Sequence, residues 1–270
     1  MAPCILCSKD SFKNLFDVGI YSLIECVNCG LVKTSVGRKI SYKKYHRDPD
    51  YIKFENHFRN FFLRRFKLIS RFVSKGRVLE IGCATGVMLE IFKEAGWEVW
   101  GVEPSASAKF AEEKEIKVLN TTFDKANLQK GYFDALIINH TLEHFENPLE
   151  AIKKAHTLLK KGGVIFIDVP NFGSLSSRLM GKDWPYILPE EHHYHFTFAT
   201  LSRLFKKEGF GIKHWEARSG IFDYENPILG LFEELKTRRK AFVWDLITSP
   251  GALLTTLLKK GTSLSVLGIK

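Results

Sequence analysis

The chain has 270 residues and a formal net charge of +10, long enough for one sizeable core and one small accessory module. Apolar residues make up 45% and charged residues 26%, as in a soluble globular protein, and no apolar run reaches the roughly 20 residues of a membrane span. The start, Met1-Ala2-Pro3-Cys4, lacks the basic and apolar regions of a signal peptide, so the expected location is cytoplasmic. The positive charge favours polyanions, membrane surfaces or phosphorylated substrates without choosing among them. Its clusters, Arg64-Arg65-Phe66-Lys67 and Lys236-Thr237-Arg238-Arg239-Lys240, fit solvated helix faces.

Cysteines open the chain. Cys4-Ile5-Leu6-Cys7 and Cys26-Val27-Asn28-Cys29-Gly30 are two pairs, each with two residues between the sulfurs, separated by a hairpin-like stretch from Phe12 to Ile24. This spacing supplies four thiolates for a closed, tetrahedral and structural zinc site in a module over 1–40. Two disulfides are the other reading, which a reducing compartment disfavours. Cys83, alone in a glycine loop, reads as a packing residue.

A polar link, Ser41 to Asp50, follows the module. Phe54 to Val73 then predicts an amphipathic helix with Phe54, Phe58, Phe61, Phe62, Phe66, Ile69 and Phe72 near one side. Linker and helix together fill 41–75. From Arg77 short apolar runs alternate with helical patterns, the signature of a doubly wound α/β sheet. Strands are expected at Val78–Ile81, Val99–Val102, Val118–Leu119, Phe133–Ile138 and Val164–Val169. The expected helices are Val87–Ala95, Ala106–Lys114, Leu149–Leu159 and Leu201–Glu208, with Lys160-Lys161-Gly162-Gly163 closing the third. Two last strands, Ile212–Ala217 and Ser263–Ile269, are expected to pair antiparallel. The core thus covers 76–220 and 262–270. Between the last strands, an insertion at 221–261 mixes apolar stretches with basic residues. Such a stretch suits peripheral contact with a membrane surface or a helical cover over a substrate pocket.

The first core strand runs into Gly82-Cys83-Ala84-Thr85-Gly86 and then a helix, so the backbone can approach a ligand closely. The second strand ends at Glu103, about twenty residues on, where a carboxylate can accept both hydroxyls of a ribose. A nucleoside-bearing cofactor follows. NAD requires G-x-G-x-x-G against its pyrophosphate. Here the loop is G-x-x-x-G, and Glu80 precedes it. An acid there repels a pyrophosphate but suits the ammonium and sulfonium end of S-adenosylmethionine (SAM).

These residues resemble class I SAM-dependent methyltransferases over roughly Arg77 to Lys270. Glu80-x-Gly82-Cys83-x-x-Gly86 is similar to their first motif, and Phe133-Asp134 through Glu143-His144 resembles their fourth-strand motif. The resemblance implies a Rossmann-like seven-stranded sheet, a ribose held by Glu103 and an adenine met by Asp124. It also implies that the loop from His140 and Thr141 to His144 borders the sulfonium and the substrate.

Three histidines crowd into Pro189 to Thr197, on a long loop beyond the fifth strand where ligand crevices lie. Metal binding is one reading of this cluster. Methyl transfer from a sulfonium needs no metal, however, and a histidine near its free pKa can take a proton. A third reading is that they cap and pack the loop. Glu191-His192-x-x-x-Phe196 resembles a stretch of small-molecule methyltransferases, including sugar C-methyltransferases that also begin with a cysteine module. That resemblance implies a base role for His192, with His195 second. The acceptor is expected to be a sugar, nucleotide sugar, quinone or lipid-linked intermediate. A zinc-module RNA methyltransferase is an alternative, though no base-holding tetrapeptide follows the fourth strand; a non-catalytic SAM-binding protein is another.

Overall fold

The computed structural model describes residues 2–35, 52–229, 232 and 239–270. The expected link from Ser41 to Asp50 lies outside them, as does most of the basic cluster at Lys236–Lys240.

Seven strands form the main sheet in the order β10-β11-β8-β7-β4-β5-β6. Their ranges are β4 Arg77–Ile81, β5 Glu98–Val102, β6 Lys117–Leu119, β7 Phe133–Asn139, β8 Leu159–Pro170, β10 Gly211–Arg218 and β11 Ser263–Ile269. Strands β4 to β8 run parallel, and β11 inserts antiparallel between β8 and β10. This is the Rossmann-like sheet expected from the alternating pattern. Leu136, Ile137 and Ile138 of β7 are each fully buried, because a central parallel strand has helices on both faces. Each such side chain contributes about 2 kcal/mol of burial.

The helices are α1 Glu55–Ser70, α2 Val87–Glu94, α3 Ala108–Glu113, α4 Pro148–Leu158, α5 Leu175–Met180, α6 Phe198–Lys207 and α7 Arg239–Leu257. Local chemistry sets their starts. Asn147 caps α4, with Pro148 in the first turn, and Thr197 and Thr200 form a capping box on α6. Both devices satisfy amide groups that the first turn leaves open.

Two sequence expectations need correction. Lys160 to Gly163 does not close a helix: α4 ends at Leu158 and the next residues already belong to β8. The register of β8 against β7 shifts there, and Lys160 bonds Asp134 at 2.6 Å instead of capping carbonyls. Nor is the Arg64–Lys67 cluster a solvated face, since the Arg65 side chain is completely buried.

A second sheet joins β1 Phe12–Val18, β2 Tyr21–Cys26, β3 Val32–Thr34 and β9 Tyr194–His195. Three of its strands come from the N-terminus and the fourth from the histidine loop, paired as Val32 with His195 and Lys33 with Tyr194. Leu6, Cys26, Cys29 and Leu31 share one apolar cluster with Phe196, Phe205 and Tyr194. The N-terminal module is therefore built into the core at this seam.

Candidate active site

Strand β4 has β5 on one side and β7 on the other, so the sheet changes direction there and opens a crevice at the strands' carboxyl ends. Phe62, Glu80, Gly82, Ala84, Thr85, Met88 and Asn139 line a cleft at this point. Gly82 has φ +75°, and an added Cβ would run into the Thr141 side chain. Gly86, at φ +78°, would meet Ala111 and Ile116. Both positions thus require glycine, which brings bare backbone to the cleft. Cys83 is buried beneath the loop and packs against Gly101.

Glu80 is buried, and its Oε2 has no hydrogen-bond partner. Burial, followed by repulsion from Glu103, pushes its carboxyl pKa up to about 8. Asn139 Oδ1 in the same cleft is also buried without a partner. Two unpaired acceptors under a glycine loop fit a cationic ligand, because each buried acceptor left bare costs about 1–3 kcal/mol. The donor set therefore fits the ammonium and sulfonium of SAM. Glu103 directly follows β5 and accepts from the Ala84 and Ser105 amides, both at 2.9 Å. Asn120 secures the same turn by donating to the Glu103 and Ser105 carbonyls. Asp124 is exposed on the loop after β6, outside the residues lining the cleft.

Beyond the cleft the loop after β7 meets the histidine loop. His193 N–H donates to the Glu143 carbonyl at 2.8 Å, which brings His192 beside the Glu143 carboxylate, Nε2 to Oε1 4.0 Å. The rings of His144 and His192 lie edge to face at 4.8 Å. His140, with φ +47°, stands between two carboxylates: Nδ1 is 3.6 Å from Glu143 and Nε2 is 3.9 Å from Asp168. Its side chain is 35% exposed, against 6% for His192.

Charge around this group is uneven. Burial opposes ionisation of Glu143, but His140 and then His144 and His192 outweigh it and hold the carboxyl at about 2. Burial also lowers His140, yet Glu143 and Asp168 win and keep it above the ordinary histidine value. His192 falls to about 4, chiefly through burial, so it is neutral at physiological pH. His195 is buried behind it against Thr34, Nε2 to Oγ1 3.2 Å, and falls to about 3 for the same reason. The structure thus gathers His140, Glu143, His144 and His192 and sets His195 one layer back.

Two features escaped the sequence reading. Arg65 of α1 reaches Asp168 of β8 at 2.6 Å and Asp223 at 2.7 Å, all three side chains buried. Ser263 and Ser265 donate to the same Asp168 carboxylate. An aspartate inside Ile165-Phe166-Ile167-Asp168-Val169 was the available signal. Asn139, the polar end of an apolar strand, was the other.

In the N-terminal module all four cysteines are unbridged, and their sulfurs lie within 4.8 Å of one another. Cys4 and Cys29 are 3.5 Å apart, as are Cys7 and Cys26. Four thiolates about 2.3 Å from one zinc ion lie about 3.8 Å apart along a tetrahedron's edges, so the geometry suits such an ion.

Sheet order, glycine loop and the acids at the carboxyl ends of β4 and β5, Glu80 within the first and Glu103 just past the second, define the class I SAM-methyltransferase fold. The chain belongs to the methyltransferase-domain family, whose profile covers residues 54–214. A ubiquinone biosynthesis O-methyltransferase of Colwellia psychrerythraea is 31% identical over 167 residues, 57% of this chain and 66% of that protein. The chain therefore spans just under two thirds of that relative's length. Among solved structures, a SAM-dependent methyltransferase from Archaeoglobus fulgidus superposes with TM-score 0.57 at 23% identity, covering 84% of this chain and all of that one. Phosphoethanolamine N-methyltransferase 2 of Haemonchus contortus, in complex with SAM, gives TM-score 0.60 at 17% identity over 94% of this chain and 70% of its own. Both structures share the fold.

Proposed function

We propose that this chain transfers a methyl group from SAM to an oxygen of a small-molecule acceptor. The carrying observation is Glu80, a buried carboxyl with an unpartnered oxygen at the glycine loop. SAM supplies a methyl group on a positively charged sulfur. Glu80 and Asn139 receive the cationic end, Glu103 the ribose, and Gly82 and Gly86 let the backbone close on the cofactor. The name of the Colwellia relative supports a quinone-type phenolic oxygen as acceptor within the wider set of sugars, nucleotide sugars and lipid-linked intermediates.

On the acceptor side His140 takes the proton, because its ring is more exposed than that of His192 and sits between two carboxylates. His192 faces the acceptor from the loop, and His195 supports that loop from behind. Cys4, Cys7, Cys26 and Cys29 hold a structural zinc ion. Exposed Leu253, Leu254, Leu257 and Leu258 near the end of α7 support peripheral contact with a membrane surface, which sedimentation with lipid vesicles tests. No helix among the described residues is long and apolar enough to cross a membrane.

Titration calorimetry tests the cofactor reading. SAM should bind, and Glu103→Ala should weaken it by about 1–3 kcal/mol, the scale for losing hydrogen bonds to a charged group. Preference for NAD, or unchanged SAM affinity in the variant, overturns it. Mass spectrometry of a metabolite extract turned over with SAM identifies the acceptor as the species gaining one methylene mass.

A further inference from the structure

Glu143, His144 and His192 form a cluster that methyl transfer from a sulfonium does not itself require. We propose that they hold a divalent transition-metal ion whose remaining coordination positions are open to an oxygen of the acceptor. Their donor atoms lie within 4.8 Å of one another. Two imidazoles and a carboxylate are a borderline donor set that suits zinc, cobalt, manganese or iron.

The orientation of the two rings carries the inference further. His144 Nδ1 is 3.0 Å from the Glu191 carbonyl, and His192 Nδ1 is 3.0 Å from the Tyr186 carbonyl. A carbonyl can only accept, so each Nδ1 bears the proton and each Nε2 is the lone-pair nitrogen. Metal-ligating histidines are typically fixed this way, with the second nitrogen donating to a carbonyl or carboxylate. Glu143 supplies the charge: it is 2% exposed and its Oε2 has no partner. His192 Nε2 and Glu143 Oε1 stand 4.0 Å apart, too far for a hydrogen bond. Across a tetrahedral ion, bonds of about 2.1 Å put such atoms about 3.4 Å apart, so a small side-chain closure suffices. Three protein ligands leave coordination positions open, the mark of a catalytic rather than a structural metal site.

The location sets the acceptor's role. Glu143 lies four residues past Asn139 of the cofactor cleft, so an oxygen on the metal approaches the methyl donor's side of the loop. This part rests on the methyltransferase reading; metal binding does not.

Cobalt(II) added to the full chain, with zinc already in its cysteine module, tests the site. One equivalent should bind, with weak visible bands and without the intense near-ultraviolet absorption of cobalt thiolates. Proton NMR should show two exchangeable, strongly shifted ring N–H signals, one from each Nδ1. His144→Ala and His192→Ala should each remove one signal and weaken cobalt binding at least about tenfold, the lower bound for disturbing even a supporting group. Catechol should shift the visible bands by occupying the open positions. Absence of the second metal, thiolate-type absorption, or full cobalt affinity in both variants overturns the site. Unshifted bands with catechol overturn the acceptor's place on it. SAM affinity, measured alongside, reports separately on the methyltransferase reading. If the variants do not fold, the two wild-type ring signals still decide.

Discussion

At the residue scale, the behaviour of Glu80 is set by its lack of a partner. With its pKa near 8, the carboxyl is protonated in the free protein at pH 7 and must ionise to face a cation. SAM affinity should therefore rise with pH and level off above about pH 8, with close to one proton released on binding at pH 7. Calorimetry in two buffers of different ionisation enthalpy measures that release, and Glu80→Gln should abolish it. The same shift has a folding consequence. Between about pH 4.5 and 8 the folded chain holds a proton that the unfolded chain has lost, so this group's contribution to the SAM-free protein's stability falls as pH rises through that window. Arg65 is the opposite case, a fully paired buried charge. Arg65→Leu leaves Asp168 and Asp223 without their cation and should cost about 3–5 kcal/mol in denaturant unfolding. Asparagine at both aspartates should recover most of that loss.

At the element scale, legibility followed burial pattern. Strands buried on both faces announce themselves as apolar runs, and β11 was read with its observed bounds, Ser263–Ile269. Glu80, Gly82, Gly86 and Glu103 were legible because strand, glycine loop and acid recur at fixed offsets. Strand β9 was not legible. It has two residues, Tyr194 and His195, in a polar histidine-rich run, and it exists only because β3 offers it an edge. Arg65 hid for a related reason: on a helical period it shares the buried face with Phe61, Phe62 and Ile69, while charge alone suggests solvent. Thr34 ties β3 to the histidine loop, its amide donating to the His193 carbonyl and its hydroxyl to the His192 carbonyl at 2.7 Å. Thr34→Val removes the second bond together with the hydroxyl's contact to His195 Nε2 and leaves a carbonyl unmatched, at a cost of about 1–3 kcal/mol. Hydrogen exchange should quicken across 188–196, and turnover should fall while SAM affinity holds. Unchanged exchange in that segment would show that the seam does not restrain the loop.

At the scale of the whole molecule, the cysteine module and the histidine loop form one mechanical unit. Arg203 of α6 donates to the Cys29 carbonyl, and Lys207 to those of Ile5 and Leu6. Metal analysis of protein purified without added metal should find zinc in the module. Chelation should unfold the module, because binding and folding are coupled in such sites, and should loosen 188–196 while the glycine loop keeps its protection. A chelated chain with unaltered exchange in both segments would refute the structural role of the ion. The seam also orders events during synthesis. Residues 2–35 leave the ribosome before the strand that completes their sheet: they hold three of its four strands, and the fourth arrives only after about 160 further residues have been made. Pairing across so long a stretch of chain pays a large loop-closure entropy and comes late in folding. The nascent module must therefore wait with the edge of β3 uncovered, and closing that edge is the step that places the histidines.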